Sequence, residues 1–310
     1  MSEKKYEILT IAPDFYQLGT PSYPAYLSMG DKGMIIEGGT GATFPIIVEQ
    51  VKELGIAPER IEYLALTHTH PDHIGAVPHL KKLWPHLKIV AGAVAAELLK
   101  KEEVIQNFVK MDHTIAENLL VKGDIDWWPP ELDNPVFEVD RVVKEGDKID
   151  LGKGVVWTVY ETPGHSPCHI SFHNEGGGIL VIGDATGIYE PGREVFWPNY
   201  FQSLEAYCDS IRKLAALPAR IGARSHGGVV EGEPKQYLQR VMKATEDYHR
   251  ELVDRVEKGE DAEKVVLEKA KWIYTFTNMQ PFKLIHVMTG VTLKRSQAVD
   301  GRAGLFEIPD

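Results

Sequence analysis

The segment that most restricts the fold of this chain is residues 67–75, which read Thr-His-Thr-His-Pro-Asp-His-Ile-Gly. Three histidines and one carboxylate fall within six residues of each other, directly after an apolar run at residues 61–66 that is typical of a buried strand. Imidazole nitrogen and carboxylate oxygen are ligands that borderline divalent metals prefer. The sequence therefore predicts a metal site at the end of a strand, with four candidate ligands: His68, His70, Asp72 and His73.

The backbone expected for this motif brings those side chains together. In an extended chain, His68 and His70 project to the same side because side chains alternate along a strand. Pro71 disfavours the helical region for the residue before it and so keeps His70 extended. The two remaining candidates then lie where the chain turns into a predicted helix at residues 74–83.

Three further motifs each follow a predicted strand and carry a His or Asp in a loop flanked by Gly, Pro or Ser. Glycine and proline allow a loop to turn tightly around a ligand. Loops at strand ends are where α/β proteins usually place their sites. The motifs are residues 162–169, 183–185 and 225–228, and their candidate ligands are His165, Asp184 and His226.

Composition excludes several classes of function. The chain has 310 residues, of which 43% are hydrophobic and 25% charged, and these values are ordinary for a globular protein. A net charge of -11 argues against nucleic acid or an anionic membrane surface as a partner. Two cysteines, Cys168 and Cys208, are too few for a disulfide framework. Since the sequence also shows neither a signal peptide nor a membrane span, we expect a cytoplasmic location.

The order of apolar patterns predicts an α/β core over residues 1–230, followed by a helical extension over residues 231–310 that packs over the core. Strands are predicted at residues 6–11, 25–29, 33–37, 61–66, 88–91, 137–143, 155–160, 169–172, 179–182 and 219–223, and helices at 44–54, 74–83, 93–120, 204–217, 237–256 and 262–276. Residues 288–297 fit either state. A helical insertion at about residues 93–130 exceeds what a connection between strands needs, and is either surface elaboration or a lid over the metal site.

The four motifs together resemble those of a known family, the metallo-β-lactamase-fold hydrolases. The resemblance covers roughly residues 6–228 and includes each of the family's signature elements. It implies an αββα sandwich that holds two metal ions at one edge. It also implies a ligand set, in which the first metal is bound by His68, His70 and His165, the second by Asp72, His73 and His226, and both by the bridging Asp184.

Within that family, the chain looks similar to the glyoxalase II-like branch. Position 184 is Asp, where the main class of true zinc β-lactamases has Cys. Position 70 is His, where flavodiiron oxidoreductases have Glu. The long insertion and the C-terminal helices are also similar to those of the alkylquinolone-pathway thioesterase, which is a weaker match.

The resemblance implies a binuclear hydrolase whose two divalent ions, zinc foremost with iron or manganese also admissible, supply a bridging hydroxide. Asp72 is expected to orient that hydroxide while it binds the second ion. A thiolate leaves without help from a strong acid, so the expected substrate is a small thioester of coenzyme A or glutathione. Three alternative functions stay open: a lactone or other ester hydrolase, a mono-iron persulfide dioxygenase on the same fold, and a non-catalytic regulator. A homodimer is compatible with each of them.

Three residues outside the ligand set are candidate substrate contacts. Ile188 and Tyr189 follow the bridging aspartate closely, and the apolar Ile188 suggests an apolar acyl group. Gly187 stands where lactonases of the superfamily often have Tyr, which counts against a lactone. His286, in the C-terminal helical segment, would point into the cavity in a thioesterase-like arrangement. His169 is expected to be a hydrogen-bonding neighbour of the ligands rather than a ligand itself.

Overall fold

The computed structural model describes residues 6–131, 135, 137–230, 232–299 and 303–309. The first sheet has seven strands, which are β1 (Leu9–Ala12), β2 (Phe15–Gly19), β3 (Pro24–Met29), β4 (Gly33–Ile36), β5 (Ile61–Ala65), β6 (Lys88–Gly92) and β7 (Arg141–Val143). They lie side by side in sequence order. The first four strands pair antiparallel and the last four pair parallel. Because β4 to β7 run parallel, the carboxyl end of β5, where the histidine motif begins, lies at the same end of the sheet as the carboxyl ends of its neighbours.

The second sheet contains β8 (Lys148–Asp150), β9 (Val156–Glu161), β10 (Ile170–Asn174), β11 (Ile179–Gly183) and β14 (Ile221–Arg224). Their order across the sheet is β14-β11-β10-β9-β8. A separate hairpin joins β12 (Ile188–Glu190) to β13 (Val195–Trp197). Because β14 pairs parallel with β11, both strands end at the same edge of the sheet. Asp184 and His226, which follow these two strands, are brought to one place by this pairing.

Nine helices occur among the described residues. They are α1 (Phe44–Glu53), α2 (Pro71–Ile74), α3 (Val77–Leu83), α4 (Ala93–Leu98), α5 (Glu102–Val121), α6 (Leu204–Ala215), α7 (Pro234–Glu257), α8 (Ala262–Tyr274) and α9 (Phe282–Gln297). Within the described ranges, none of these helices has both the length and the apolar character that crossing a membrane requires.

Alternation along the strands shows how the layers stack. In β11, Val181 packs between the two sheets, whereas Leu180 and Ile182 face a core shared with α6 to α9. In β4, Ile36 faces the other sheet and Ile35 faces a core shared with α1 and α3. Helices therefore cover the outer face of each sheet, and the protein is the αββα sandwich that the sequence predicted.

Several predicted elements differ in their bounds. The strand β2 was not predicted. The sequence indicated one strand at residues 6–11 followed by a loop, but the chain turns at Asp14 (φ 58°) and returns as β2. The predicted helix at 74–83 begins earlier, at Pro71, and is interrupted at residues 75–76. The predicted helix at 93–120 is divided between α4 and α5, and the predicted strand at 137–143 is a strand only in β7.

Hydroxyl pairs as well as apolar contacts hold the C-terminal helices in place. The Tyr200 hydroxyl of the core lies 2.8 Å from Ser296 Oγ of α9, and the Tyr248 hydroxyl of α7 lies 3.1 Å from Thr292 Oγ1 of α9, so the second pair joins two of the C-terminal helices. Residues 288–297, which fitted either state, belong to α9. Residues 1–5 of the predicted core, and residues 231, 300–302 and 310 of the predicted extension, lie outside the described residues. The predicted boundary between core and extension stays a prediction.

Candidate metal centre

The histidine motif leaves the first sheet as an extended segment and then enters a short helix. His70 has φ -68° and ψ 147°, so it is extended as predicted. Pro71 takes the first helical turn of α2, where its missing N–H is not needed. Asp72 and His73 therefore project from α2 itself and not from a turn ahead of a later helix.

Four of the predicted histidine ligands surround one carboxylate oxygen of Asp184, which is itself a predicted ligand. Asp184 Oδ2 lies 3.4 Å from Nε2 of His73, 3.4 Å from Nε2 of His165 and 3.5 Å from Nε2 of His226. Its distance to His68 Nε2 is 3.9 Å. Ligand atoms lie within 4.8 Å of one another in three overlapping sets, namely His68, His70 and His165; His68, His73 and Asp184; and Asp72, His73 and His226.

His70 presents a different nitrogen from the other histidines. Its Nδ1 lies 3.0 Å from His68 Nε2 and 2.9 Å from His165 Nε2. Three ring nitrogens of separate imidazoles thus occupy the corners of a small triangle. Such a triangle of nitrogen donors is an arrangement that zinc and similar ions bind.

Backbone carbonyls fix which nitrogen of two further rings faces the centre. His165 Nδ1 donates to the Asn199 carbonyl at 2.9 Å. His226 Nδ1 donates to the Ser22 carbonyl at 2.8 Å. Since each Nδ1 donates outward, Nε2 is the nitrogen that each ring turns toward the carboxylate of Asp184.

Glu37 holds two more of the rings, and the sequence analysis gave it no role beyond ending a strand. Its buried carboxylate accepts hydrogen bonds from His73 Nδ1 at 2.9 Å, from the Thr67 hydroxyl at 2.9 Å and from the Ser225 hydroxyl. Thr67 Oγ1 lies 3.0 Å from His68 Nδ1 and accepts its proton. Glu37 adopts a left-handed backbone (φ 78°), which is uncommon for glutamate. An acid directly after an apolar strand and ahead of two glycines was the signal that could have revealed it.

The chemistry of this donor set fits divalent cations. Asp184 Oδ1 and His73 Nε2 are buried and have no hydrogen-bond partner among the described residues. Buried polar atoms normally find a partner, because leaving one unpaired destabilises the fold. Several inward lone pairs around a carboxylate repel each other, and a cation between them removes that repulsion. We conclude that the cluster suits divalent metal binding.

The electrostatics differ between the candidate ligands. Burial acts to lower the pKa of His73 and that of His226, but the carboxylates of Asp72 and Asp184 outweigh it and raise both pKa values. Burial lowers the pKa of His68 and that of His165 well below the ordinary value, so both rings are neutral at neutral pH. Burial acts to raise the pKa of Asp184, but His226 and His73 outweigh it and hold that pKa well below its usual range. A neutral imidazole and an ionised carboxylate are the states that metals bind.

His169 supports the cluster without joining it. Its Nε2 accepts the backbone N–H of Asp184 at 2.9 Å, and its Nδ1 lies 2.8 Å from Thr162 Oγ1. Gly183, at φ 68°, allows this approach, because a Cβ there would lie 2.4 Å from His169 Nε2. The structure confirms the prediction that His169 is a hydrogen-bonding neighbour of the ligands.

The first two candidate substrate contacts lie on the β12–β13 hairpin. Ile188 is buried in the core that the second sheet shares with the C-terminal helices. The Tyr189 ring stacks on Phe196 with centroids 4.3 Å apart, and the guanidinium carbons of Arg224 and Arg240 lie 5.5 and 5.7 Å from its centre. Both side chains are therefore occupied by packing, and their contact with substrate stays a prediction.

The third candidate, His286, contacts other residues of the C-terminal helices. Its ring lies parallel to Phe282 with centroids 6.2 Å apart, and its Nε2 lies 3.1 Å from a carboxylate oxygen of Glu263. Glu263 is largely exposed. These contacts do not direct His286 toward the metal ligands, and its role with substrate stays a prediction.

Two aromatic residues that the sequence analysis did not select lie beside the ligands. The Phe201 ring centre is 5.3 Å from that of His165. The Tyr23 ring meets His226 edge-on with centres 5.8 Å apart. Neither residue belongs to a recognisable motif, so only the folded structure could reveal their position.

Comparison with known families agrees with this geometry. Residues 25–226 match the family model described as the metallo-beta-lactamase superfamily. The chain belongs to that superfamily. The matched range contains all seven candidate ligands. The placement of the chain in the glyoxalase II-like branch stays a prediction.

Relatives in the superfamily carry different names. A metallo-beta-lactamase fold-containing protein of Sulfurisphaera tokodaii is 26% identical over 61% of this chain and 69% of its own. An atrochrysone carboxyl ACP thioesterase of Aspergillus fumigatus is 28% identical over 78% of this chain and 61% of its own. A flavo-diiron protein of Clostridium acetobutylicum is 26% identical over 76% of this chain and 54% of its own.

Solved structures show the same fold. A metallo-beta-lactamase family protein of Thermus thermophilus superposes with a TM-score of 0.65 at 20% identity, covering 96% of this chain and 98% of its own. A subclass B3 metallo-beta-lactamase from a soil metagenome library superposes with a TM-score of 0.56 at 20% identity, covering 78% and 94%.

Proposed function

We propose that this chain is a binuclear metal-dependent hydrolase that cleaves a thioester of coenzyme A or glutathione. The observation that carries the proposal is the central position of Asp184 Oδ2, which lies within 3.9 Å of ring nitrogens from four histidines. A carboxylate in that position suits two cations at once. The proposed ligands of the first ion are His68, His70 and His165, those of the second are Asp72, His73 and His226, and Asp184 is shared.

Two divalent ions bound by these residues would lower the pKa of a shared water toward neutrality and polarise an ester carbonyl. Among the ligands, His70 and Asp72 are half-buried and the others are buried. Substrate therefore reaches the cluster over these two side chains. Asp72 lies 3.5 Å from His73 Nε2 and 3.6 Å from His226 Nε2, at this open edge, where its carboxylate orients the attacking water.

The leaving group distinguishes thioesters from amides. A thiolate departs without protonation, whereas an amine leaves only with help from an acid. The low pKa of Asp184 keeps it ionised, so it does not serve as that acid. The thioesterase name of the Aspergillus relative also supports this choice. A lactone or other ester would meet the same attacking water and is the second candidate.

Two measurements test the proposal together. Elemental analysis of the purified protein is expected to give two metal equivalents per chain, with zinc foremost and iron or manganese as the other candidates. A thiol-release assay across acyl-CoAs and lactoylglutathione, with lactones followed separately, is expected to show turnover that chelation abolishes and metal restores.

The outcomes separate the alternatives. Rapid turnover of lactones with no thiol release would replace the thioesterase by a lactonase. A single iron per chain, with oxygen consumed on a persulfide substrate, would replace hydrolysis by persulfide oxidation. Metal binding without turnover of any of these compounds would contradict an enzymatic role for the chain.

The setting of this reaction is part of the same proposal. We propose a small-molecule substrate, a cytoplasmic location, and no nucleic-acid or membrane partner, because the net charge is -11 and the cysteines are two. A homodimer stays a prediction, which sedimentation of the purified chain would decide.

A further inference from the structure

We infer that the C-terminal helices give this site a preference for apolar acyl groups. They do so by holding apolar side chains on both sides of the metal ligands. The inference rests on the proposed thioesterase function. It differs from the sequence-based expectation, which assigned the apolar surface to Ile188, because that side chain is buried in the core. The residues that form the two sides are Phe201 and Met279.

The first side is Phe201, next to His165. Phe201 is apolar yet half-buried, and its ring also meets Trp197 with centres 6.1 Å apart. Its backbone is held at both ends: the N–H donates to the Asn199 carbonyl at 2.9 Å, and the carbonyl accepts from Arg295 Nε at 3.0 Å. A rigid aromatic ring that remains partly open beside a metal ligand is well suited to contact an apolar substrate group.

The second side is Met279, on the loop between α8 and α9. Its carbonyl accepts from the Tyr23 hydroxyl at 3.3 Å, and Tyr23 meets His226 edge-on. Its half-buried side chain packs against the apolar cluster that includes Tyr23 and Ile115. The Asn118 side chain donates to the Met279 carbonyl at 2.9 Å, which fixes the loop against α5. A flexible thioether in this place adapts to apolar groups of different shape.

Both sides depend on the same part of the chain. Arg295 belongs to α9, and Met279 belongs to the loop that leads into α9. The open ligands His70 and Asp72 belong to the same cluster as His165 and His226. His165 lies next to Phe201, and His226 lies next to Tyr23, whose hydroxyl donates to the Met279 carbonyl. A thioester carbonyl placed there would have its acyl chain against apolar surface, and each methylene that becomes fully buried would strengthen binding about fourfold.

The test compares acyl chains of increasing length. Hydrolysis of acetyl-CoA, butyryl-CoA and octanoyl-CoA is measured for wild type, Phe201→Ala, Phe201→Leu and Met279→Ala. Matched controls are Phe306→Ala, whose ring packs on His249 with centres 5.5 Å apart, and Met288→Ala, whose side chain packs in the core with the C-terminal helices. Calorimetric binding of acetate and octanoate, the acid products, gives a second readout that does not require turnover.

We expect wild type to prefer octanoyl-CoA over acetyl-CoA in kcat/KM. Phe201→Ala and Met279→Ala should each lower that preference about tenfold, mainly through KM, and weaken octanoate binding more than acetate binding. Phe201→Leu should recover part of the loss, and the two controls should keep the wild-type ratio.

The failures are distinguishable. One outcome would overturn the proposed function and leave the apolar surface in place. In that outcome wild type does not hydrolyse thioesters but still binds octanoate more tightly than acetate, and Phe201→Ala weakens the binding of octanoate. Hydrolysis that is independent of acyl length, or equal losses on all three thioesters in the variants, would overturn this inference and leave the proposed function in place.

Discussion

The metal ligands and the apolar residues beside them are held in different ways. Four of the candidate ligand rings have their outer nitrogen next to an oxygen at hydrogen-bonding distance, as His165 has Asn199 and His73 has Glu37. Phe201 and Met279 are hydrogen-bonded through their backbones, and their half-buried side chains are held by packing. The comparison indicates a site whose chemistry is rigidly fixed and whose substrate surface can change.

The largest expected effect comes from removing the charge at the centre. In Asp184→Asn, the shape is kept but the shared carboxylate is lost, so we expect metal content to fall below one equivalent and kcat/KM to fall more than about a thousandfold. Octanoate binding at the apolar residues should fall far less. Asp247→Asn, an exposed change on α7, is the matched control. Normal metal content in Asp184→Asn would refute the central role of this carboxylate.

A second prediction concerns stability away from the metal. Asp112 of α5 is buried, accepts the Gly41 N–H at 2.9 Å, and has its pKa raised by burial to about 6. Because the folded state holds this proton more tightly than the unfolded state, stability falls as pH rises from about 4 to about 6. Relative to Asp112→Asn, wild type should therefore lose as much as about 3 kcal/mol of unfolding free energy over that range.

Urea denaturation of both proteins at pH 4 and pH 7 measures this difference. Groups that titrate in both proteins cancel in the comparison, which isolates Asp112. Metal content at pH 7 should be equal in the two proteins, since Asp112 is outside the ligand set. Parallel pH profiles would show that Asp112 is not the residue responsible.

A third prediction tests the support behind the ligands. Glu37→Gln keeps the side-chain length but replaces the carboxylate that accepts the His73 proton, so we expect metal affinity to weaken about 10- to 100-fold. Competition with a chromogenic chelator measures the affinity directly. The acyl-length preference should stay at the wild-type value, and a change in that preference would break the proposed separation between chemistry and substrate surface.

The smallest effect is expected at the edge of the apolar surface. Asn118→Ala removes side-chain hydrogen bonds to the carbonyls of Asn278 and Met279, at 3.2 and 2.9 Å. Stability should fall by about 1–2 kcal/mol, and amide exchange should accelerate at residues 278–280. The exposed Glu117→Ala on the same helix is the control. Unchanged exchange in this loop would show that Asn118 does not fix it.

Much of the ligand set could be predicted because its spacing is local. His68 and His70 share one side of an extended segment, and a proline fixes that segment, so sequence neighbours decide the arrangement. Asp184 and His226 each end a strand, and parallel pairing of β11 with β14 brings strand ends together. The apolar patterns predicted an α/β core, and the αββα layering came from the family resemblance.

The remaining features depend on contacts between distant segments. Glu37 reaches Ser225 across the two sheets, and Tyr23 reaches Met279 across the length of the chain. No local pattern encodes such pairs, so Glu37 read only as a strand end. Ile188 and Tyr189 pair with Trp197 and Phe196 across a hairpin, and this pairing could not be inferred from their own segment.

One carbonyl joins the two halves of the site. The Asn199 oxygen accepts both the ring proton of His165 and the backbone N–H of Phe201. The path of the main chain through this loop is thus tied to ligand geometry, while the side chain at position 201 is not. On the proposed acyl surface, we expect exchange of that single side chain to change acyl preference, whereas insertions or deletions in the loop should disturb metal binding before they alter selectivity.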